Sequence, residues 1–133
     1  MSEFLSSRYK TLSPYTPGEQ PRGMKYIKLN TNESPFPPSK KAVMAAAEAA
    51  EGLQLYSDPE CALLTEKMAK TLGLNRNQVL MTNGSDEILN FAFMAFCDDR
   101  NGAAFADVTY GFYPVFAAIN SVPYTEIPLQ KDF

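Results

Sequence analysis

Histidine is absent from the 133 residues. Its absence excludes His-based catalytic triads and any metal site built on imidazole. Cysteine is scarce: Cys61 and Cys97 are the whole complement, with no C-x-x-C spacing. Two thiols in such a chain make no disulfide framework. Both sit in apolar, helix-like runs, so they are expected as reduced thiols packed in a core. Basic charge is not in excess either. The formal net charge is −3 and Lys40-Lys41 is the sole adjacent basic pair, so nothing points to nucleic acid or an anionic membrane surface. No uncharged run approaches the roughly 20 apolar residues of a membrane span. The opening Met1-Ser2-Glu3 is polar, with no apolar leader core behind it. The expectation is a reduced, cytoplasmic protein.

What is present is an ordinary globular balance, with 45% apolar and 20% charged residues, enough for one modest domain with a core. Prolines cluster early: Pro14, Pro17, Pro21, Pro35, Pro37 and Pro38 make six of the ten. Residues 1–38 therefore read as mostly irregular, with a short helix over 3–9. Phe4, Tyr9, Tyr15, Tyr26 and Phe36 argue against a solvated tail. The segment reads as an arm that packs on something.

Beyond it, Ser39 is a plausible N-cap for an Ala-rich helix over 40–51, stopped by Gly52. A loop over 53–59 leads to a helix over 60–72, whose apolar stripe is Cys61, Leu64, Met68 and Leu72 and whose stop is Gly73. Residues 79–82 form a short apolar run, expected as a buried strand. Asn83-Gly84 turns the chain, and Ser85 is placed to cap a helix with Asp86 and Glu87 in its first turn. Ile88, Leu89, Ala92, Phe93 and Phe96 then share a face. Residues 103–106 are expected as a second buried strand. Phe112, Val115, Phe116 and Ile119 form another helical stripe, with Pro114 tolerable in the first turn. Residues 124–127 are expected as a third strand. The order β-α-β-α-β predicts an α/β fold with a mainly parallel sheet.

Four segments bear polar or aromatic groups where chemistry can occur. In Val79-Leu80-Met81-Thr82-Asn83-Gly84-Ser85-Asp86-Glu87 a strand runs through glycine into a helix start. Free backbone N–H groups and the helix dipole favour a phosphate there, or Ser85 merely caps the helix. The carboxylates of Asp86 and Glu87 would repel a phosphate unless they turn away. Asp107-Val108-Thr109-Tyr110-Gly111-Phe112-Tyr113 follows the carboxyl end of a strand, where ligands bind in open α/β sheets. An aromatic ring there either stacks on a flat heteroaromatic ligand, or Tyr110 and Tyr113 are core or rim aromatics. Leu29-Asn30-Thr31-Asn32-Glu33-Ser34-Pro35 is a polar, rigid stretch or an ordinary Asx-type turn. Tyr56, in Tyr56-Ser57-Asp58-Pro59, has no local core to join and either reaches a neighbouring subunit or covers a surface.

In this order and spacing the four segments resemble the N-terminal part of the histidinol-phosphate aminotransferases, a branch of the fold-type-I pyridoxal 5'-phosphate enzymes. The resemblance runs from about residue 13 to residue 133. It implies amino transfer between a donor and a keto acceptor, histidinol phosphate and 2-oxoglutarate in histidine biosynthesis, in a cytoplasmic homodimer. Gly84, Ser85 and Asp86 match the turn whose backbone amides hold the cofactor phosphate. Tyr110 matches the ring that stacks on the pyridine. Tyr56 matches the tyrosine reaching the partner subunit's cofactor phosphate. Tyr15, Asn32 and Glu33 match the arm lining the substrate pocket, with Ser34 standing where relatives often carry Asn. By the same resemblance 1–38 is the N-terminal arm. Residues 39–78 are a helical segment of the small domain with a dimer-facing loop, and 79–133 begin the cofactor-binding large domain.

In this family the cofactor-bearing lysine, the aspartate at the pyridine nitrogen and the substrate-binding arginine lie downstream of the last matching motif. None of the eight lysines, Lys131 included, matches that lysine's context, so no catalytic residue is assigned and the chain alone is expected to be inactive. Strands from later in such enzymes separate the first two strands of the large sheet. Residues 79–82 would thus be left unpaired beside an incomplete sheet, at a cost in exposed backbone, and the chain is expected to be the front part of a longer enzyme. Two other readings stay open: a different fold-type-I enzyme, such as another aminotransferase or an amino-acid phosphate decarboxylase, and a non-catalytic phosphate-binding or dimerisation module.

Overall fold

The computed structural model describes residues 3–10, 12, 18–19, 23 and 26–132. They fall into two compact units, one of Gly18–Met81 and one of Met1–Pro17 with Thr82–Phe133.

In the first unit, helix α1 spans Lys40–Ala50. Ser39 begins it as its sequence suggests, the Oγ accepting from the Ala42 N–H at 3.2 Å. No residue of α1 is buried, so its helicity rests on alanine propensity and the cap. Helix α2 spans Ala62–Leu72, two residues shorter at the front than the pattern predicts. Asp58 explains the difference. Its carboxylate accepts from the Glu60 N–H at 3.0 Å and the Ala62 N–H at 2.7 Å. This clasp turns Cys61 into the left-handed region at φ 46, so the helix starts after it. Gly73, at φ 68, ends α2, with Leu74 N–H on Ala69 O at 2.9 Å, the 6→1 bond of a Schellman stop.

The stripe expected to be buried on α2 is not. Cys61, Leu64, Met68 and Leu72 are exposed, while Thr65 and Ala69 are buried. Within this unit α2 packs on the 3₁₀ turn Arg76–Gln78, which is too small to cover a whole apolar face. Cys61 is therefore an exposed free thiol rather than a core residue, and Cys97 is a half-buried one.

The second unit holds helix α3, Ser85–Phe96, then strand β1, Ala103–Ala106, helix α4, Tyr113–Asn120, and strand β2, Tyr124–Ile127. β1 and β2 pair in parallel, Ala103 opposite Tyr124 and Ala106 opposite Ile127. The β-α-β unit brings Gly102 against the chain entering β2. A Cβ on Gly102 would lie 2.5 Å from the Pro123 carbonyl oxygen, so only glycine permits that approach. The core is Phe93, Phe116, Ala117 and Val122, with Leu89, Cys97 and Ala103 packed on it. Ser121, left-handed at φ 57, stops α4 and folds Val122 back, its N–H on Ala117 O at 2.8 Å. Asn120 Nδ2 donates to Asn90 Oδ1 at 2.8 Å and ties α4 to α3. Phe96, expected on the buried face of α3, is 80% exposed. The helix expected over 3–9 is only a 3₁₀ turn, Ser7–Tyr9, resting on α4.

Residues 79–82 enter no ladder among the described residues, which contain one two-stranded sheet. Val79 has extended backbone, φ −125 and ψ 126. An extended segment becomes a strand only when a neighbour accepts its bonds, and none is present there.

Candidate functional site at the α3 N-terminus

The turn into α3 is built around Gly84, at φ 84 and ψ 177. That backbone region is glycine's own. A Cβ at Gly84 would meet nothing within 4 Å, so the space in front of the turn is open. Thr82 Oγ1 donates to Gly84 O at 3.0 Å and Gly84 N–H to Thr82 O at 2.9 Å, which closes the turn on itself.

Gly84, not Ser85, occupies the N-cap position, and no side chain caps the helix. Ser85 is instead the first helical residue. The expectation that Ser85 serves as the cap is thus corrected: left-handed Gly84 carries the entry, and the Ser85 hydroxyl is not used for it. The N–H groups of Ser85, Asp86 and Glu87 have no carbonyl of an earlier turn to bond. Three backbone donors, the positive end of a 12-residue helix and a hydroxyl thus sit together.

The two acids at this pole are both turned to other work. Glu87 folds back so that Oε2 accepts from the Asn83 N–H at 2.7 Å. Asp86 Oδ1 accepts from the Tyr110 hydroxyl at 2.8 Å. The second contact spans 24 residues and draws the loop after β1 to the start of α3. The Tyr110 ring is further held by Phe112, stacked at 5.6 Å between centroids, and Tyr113, edge-on at 6.1 Å. Upstream, Asp107 closes the end of β1: its Oδ1 accepts from the Val108 N–H at 2.8 Å and the Leu129 N–H at 3.1 Å.

Gly84, Ser85, Asp86 and Tyr110 are therefore brought together within one unit. Tyr56, Asn32 and Glu33 belong to the other. Tyr56 is fully exposed at 104%. Asn32 has φ 54 and Thr31 φ 60, a consecutive left-handed pair. Glu33 is bonded by Lys28 Nζ, and that ammonium holds its carboxyl below the usual range. Tyr15 lies outside the described residues.

One cleft of about 530 Å³ is lined by the C-terminal half of α3 and by β1, with side chains such as Phe93, Phe96, Ala104 and Phe105; it is apolar and suits a hydrophobic neighbour. One of about 630 Å³ in the other unit is lined by Glu60, Cys61 and Arg76. Its guanidinium is already paired to Glu60 at 2.6 Å. Among the described residues no three metal-binding side chains cluster, and no helix is long and apolar enough to cross a membrane.

Glu87 was legible in the sequence only as an acid in the first turn, where the helix dipole favours it; its reach back to Asn83 was not. The Asp86–Tyr110 bond had no sequence signal, since neither residue type at that separation implies contact.

Three donors, a hydroxyl and open space fit a phosphate, and a held aromatic ring fits a flat heterocycle. The family described as aminotransferase class I and II matches residues 24–133. The histidinol-phosphate aminotransferase of Marinomonas sp. (strain MWYL1) is 52% identical over 134 aligned positions, covering 100% of this chain and 38% of that protein. The histidinol-phosphate aminotransferase of Clostridium acetobutylicum is 47% identical with the same coverage, and histidinol-phosphate aminotransferase 2 of Gluconobacter oxydans 46%. The chain thus spans 38% of the length of these curated relatives.

Proposed function

Because the chain belongs to the class I and II aminotransferases, we propose that the protein exchanges an amino group between histidinol phosphate and 2-oxoglutarate in histidine biosynthesis, using pyridoxal 5'-phosphate, as a cytoplasmic homodimer. The observation that supports this reading is the joining of an open phosphate-type turn, Gly84-Ser85-Asp86, to the Tyr110 ring through one hydrogen bond.

When bound, the cofactor supplies a conjugated ring that acts as an electron sink. The work of this chain is to hold and orient it. The N–H groups of Ser85 and Asp86 and the Ser85 hydroxyl bind the phosphate, and the positive end of α3 favours its charge. The Tyr110 face stacks on the pyridine ring. Tyr56, on an exposed loop, reaches the cofactor phosphate of the partner subunit. Tyr15, Asn32 and Glu33 line the substrate pocket. Glu33 is paired with Lys28, which keeps its negative charge compensated near an anionic substrate.

The test is amino transfer by the protein as its gene encodes it. Glutamate formation from histidinol phosphate and 2-oxoglutarate, lost in Ser85→Ala with Gly84→Val, supports the reading. Tight cofactor binding without glutamate formation would remove the substrate assignment. No cofactor binding would remove the whole reading.

A further inference from the structure

We propose that the Asp86 side chain is a positioning residue for the Tyr110 ring, so that one residue of the α3 first turn serves both the anion pole and the aromatic platform. This inference rests on the cofactor reading above. A phenol has two rotatable side-chain bonds. Phe112 and Tyr113 hold the Tyr110 ring from its sides, at centroid distances of 5.6 and 6.1 Å, but neither pins its tip. Asp86 Oδ1 does, at 2.8 Å from the hydroxyl. A carboxylate at a phosphate-binding pole is otherwise a liability, since like charges repel. Here the helix dipole stabilises the charge and the phenol takes up one oxygen, while the Asp86 backbone N–H stays available to the phosphate. The bond links the start of α3 to the loop after β1, and it holds the ring beside the donors before any ligand arrives.

A purely local role, in which Asp86 only stabilises the helix start by its charge, predicts different behaviour. Asp86→Asn keeps an acceptor oxygen and loses the charge; Asp86→Ala loses both; Tyr110→Phe loses the donor. The experiment measures dissociation constants of the cofactor-free protein for pyridoxal 5'-phosphate and for pyridoxal, which lacks the phosphate. It also records the induced circular dichroism of the bound pyridine, which reports its orientation against the protein. Asp86→Ala and Tyr110→Phe are each expected to weaken both ligands about tenfold, the loss of one hydrogen bond. The double variant is expected to be no worse than either single one. Asp86→Asn is expected to recover most of the affinity and the dichroic signal. Weakening confined to the phosphorylated ligand, an additive double variant, or Asn behaving as Ala would each overturn the proposal while leaving the cofactor reading intact. Failure of the unaltered protein to bind pyridoxal 5'-phosphate would overturn both.

Discussion

Glu87 Oε2 lies 2.7 Å from the Asn83 backbone nitrogen and accepts its hydrogen bond. The carboxylate that stands one turn into α3 is thereby folded back across Gly84. It satisfies a donor that the turn would otherwise leave to solvent.

Removing that arm should loosen the turn. Glu87→Ala is expected to cost about 1 kcal/mol, the scale of a lost helix-start cap, while Glu87→Gln, which keeps an acceptor, should cost less than half as much. Urea melts of the two variants decide it; equal losses would mean that the charge alone matters.

Gly84 should be intolerant of any side chain for a conformational reason rather than a steric one. Its φ of 84 and ψ of 177 strain an L-residue although a Cβ would touch nothing. Gly84→Ala is expected to lower stability by about 1–3 kcal/mol and to weaken inorganic phosphate and cofactor binding together. An unchanged melting temperature would show that the turn relaxes at no cost.

The core of the second unit is small, so its aromatic centre carries much of the stability. Phe116 is 4% exposed and packs on Phe93 at 5.9 Å and Phe112 at 5.4 Å between centroids. Phe116→Ala is expected to cost about 3–5 kcal/mol, against a smaller loss for Phe116→Leu. Denaturant midpoints for the two variants measure the difference.

Acid should loosen the start of α2. The N–H groups of Ala62 and Glu60 hold the Asp58 carboxyl below its ordinary value, and those of Asn101 and Arg100 do the same for Asp98. A carboxyl held low in the fold contributes stability above its unfolded value, near pH 4, and loses it as pH falls through the folded value. The melting temperature is therefore expected to decline from about pH 4 downward, and less steeply in Asp58→Ala. Parallel curves for the two proteins would show that Asp58 does not contribute.

Much of the local architecture was legible in the residues. Ser39 before an Ala-rich run, Gly73 after Leu72, and Pro114 in a first turn each act within four positions, so they can be read without knowing the fold. The errors arose where a distant neighbour decides. Residues 79–82 are a different case: they have a strand's composition, the resemblance leaves them unpaired, and they enter no ladder among the described residues, because a strand is a relation between two segments. Cys61, Leu64 and Phe96 have the periodicity of core residues but lie exposed, because periodicity names a face without saying what covers it. Ser85 looked like a cap because serine caps well, yet the preceding glycine took the position.

The sequence by itself determined the four helices, the parallel β-α-β order and the glycine turn into α3, since caps, propensities and glycine dihedrals are short-range physics. It also carried the spaced motifs from which membership of the aminotransferase class was read. Only the tertiary structure decided that Asp86 meets Tyr110 and that Glu87 turns back to Asn83. It also decided which apolar faces are buried. Those outcomes depend on packing: the Asp86–Tyr110 contact closes only when α3 and α4 meet around Phe93 and Phe116, and no local pattern records that meeting.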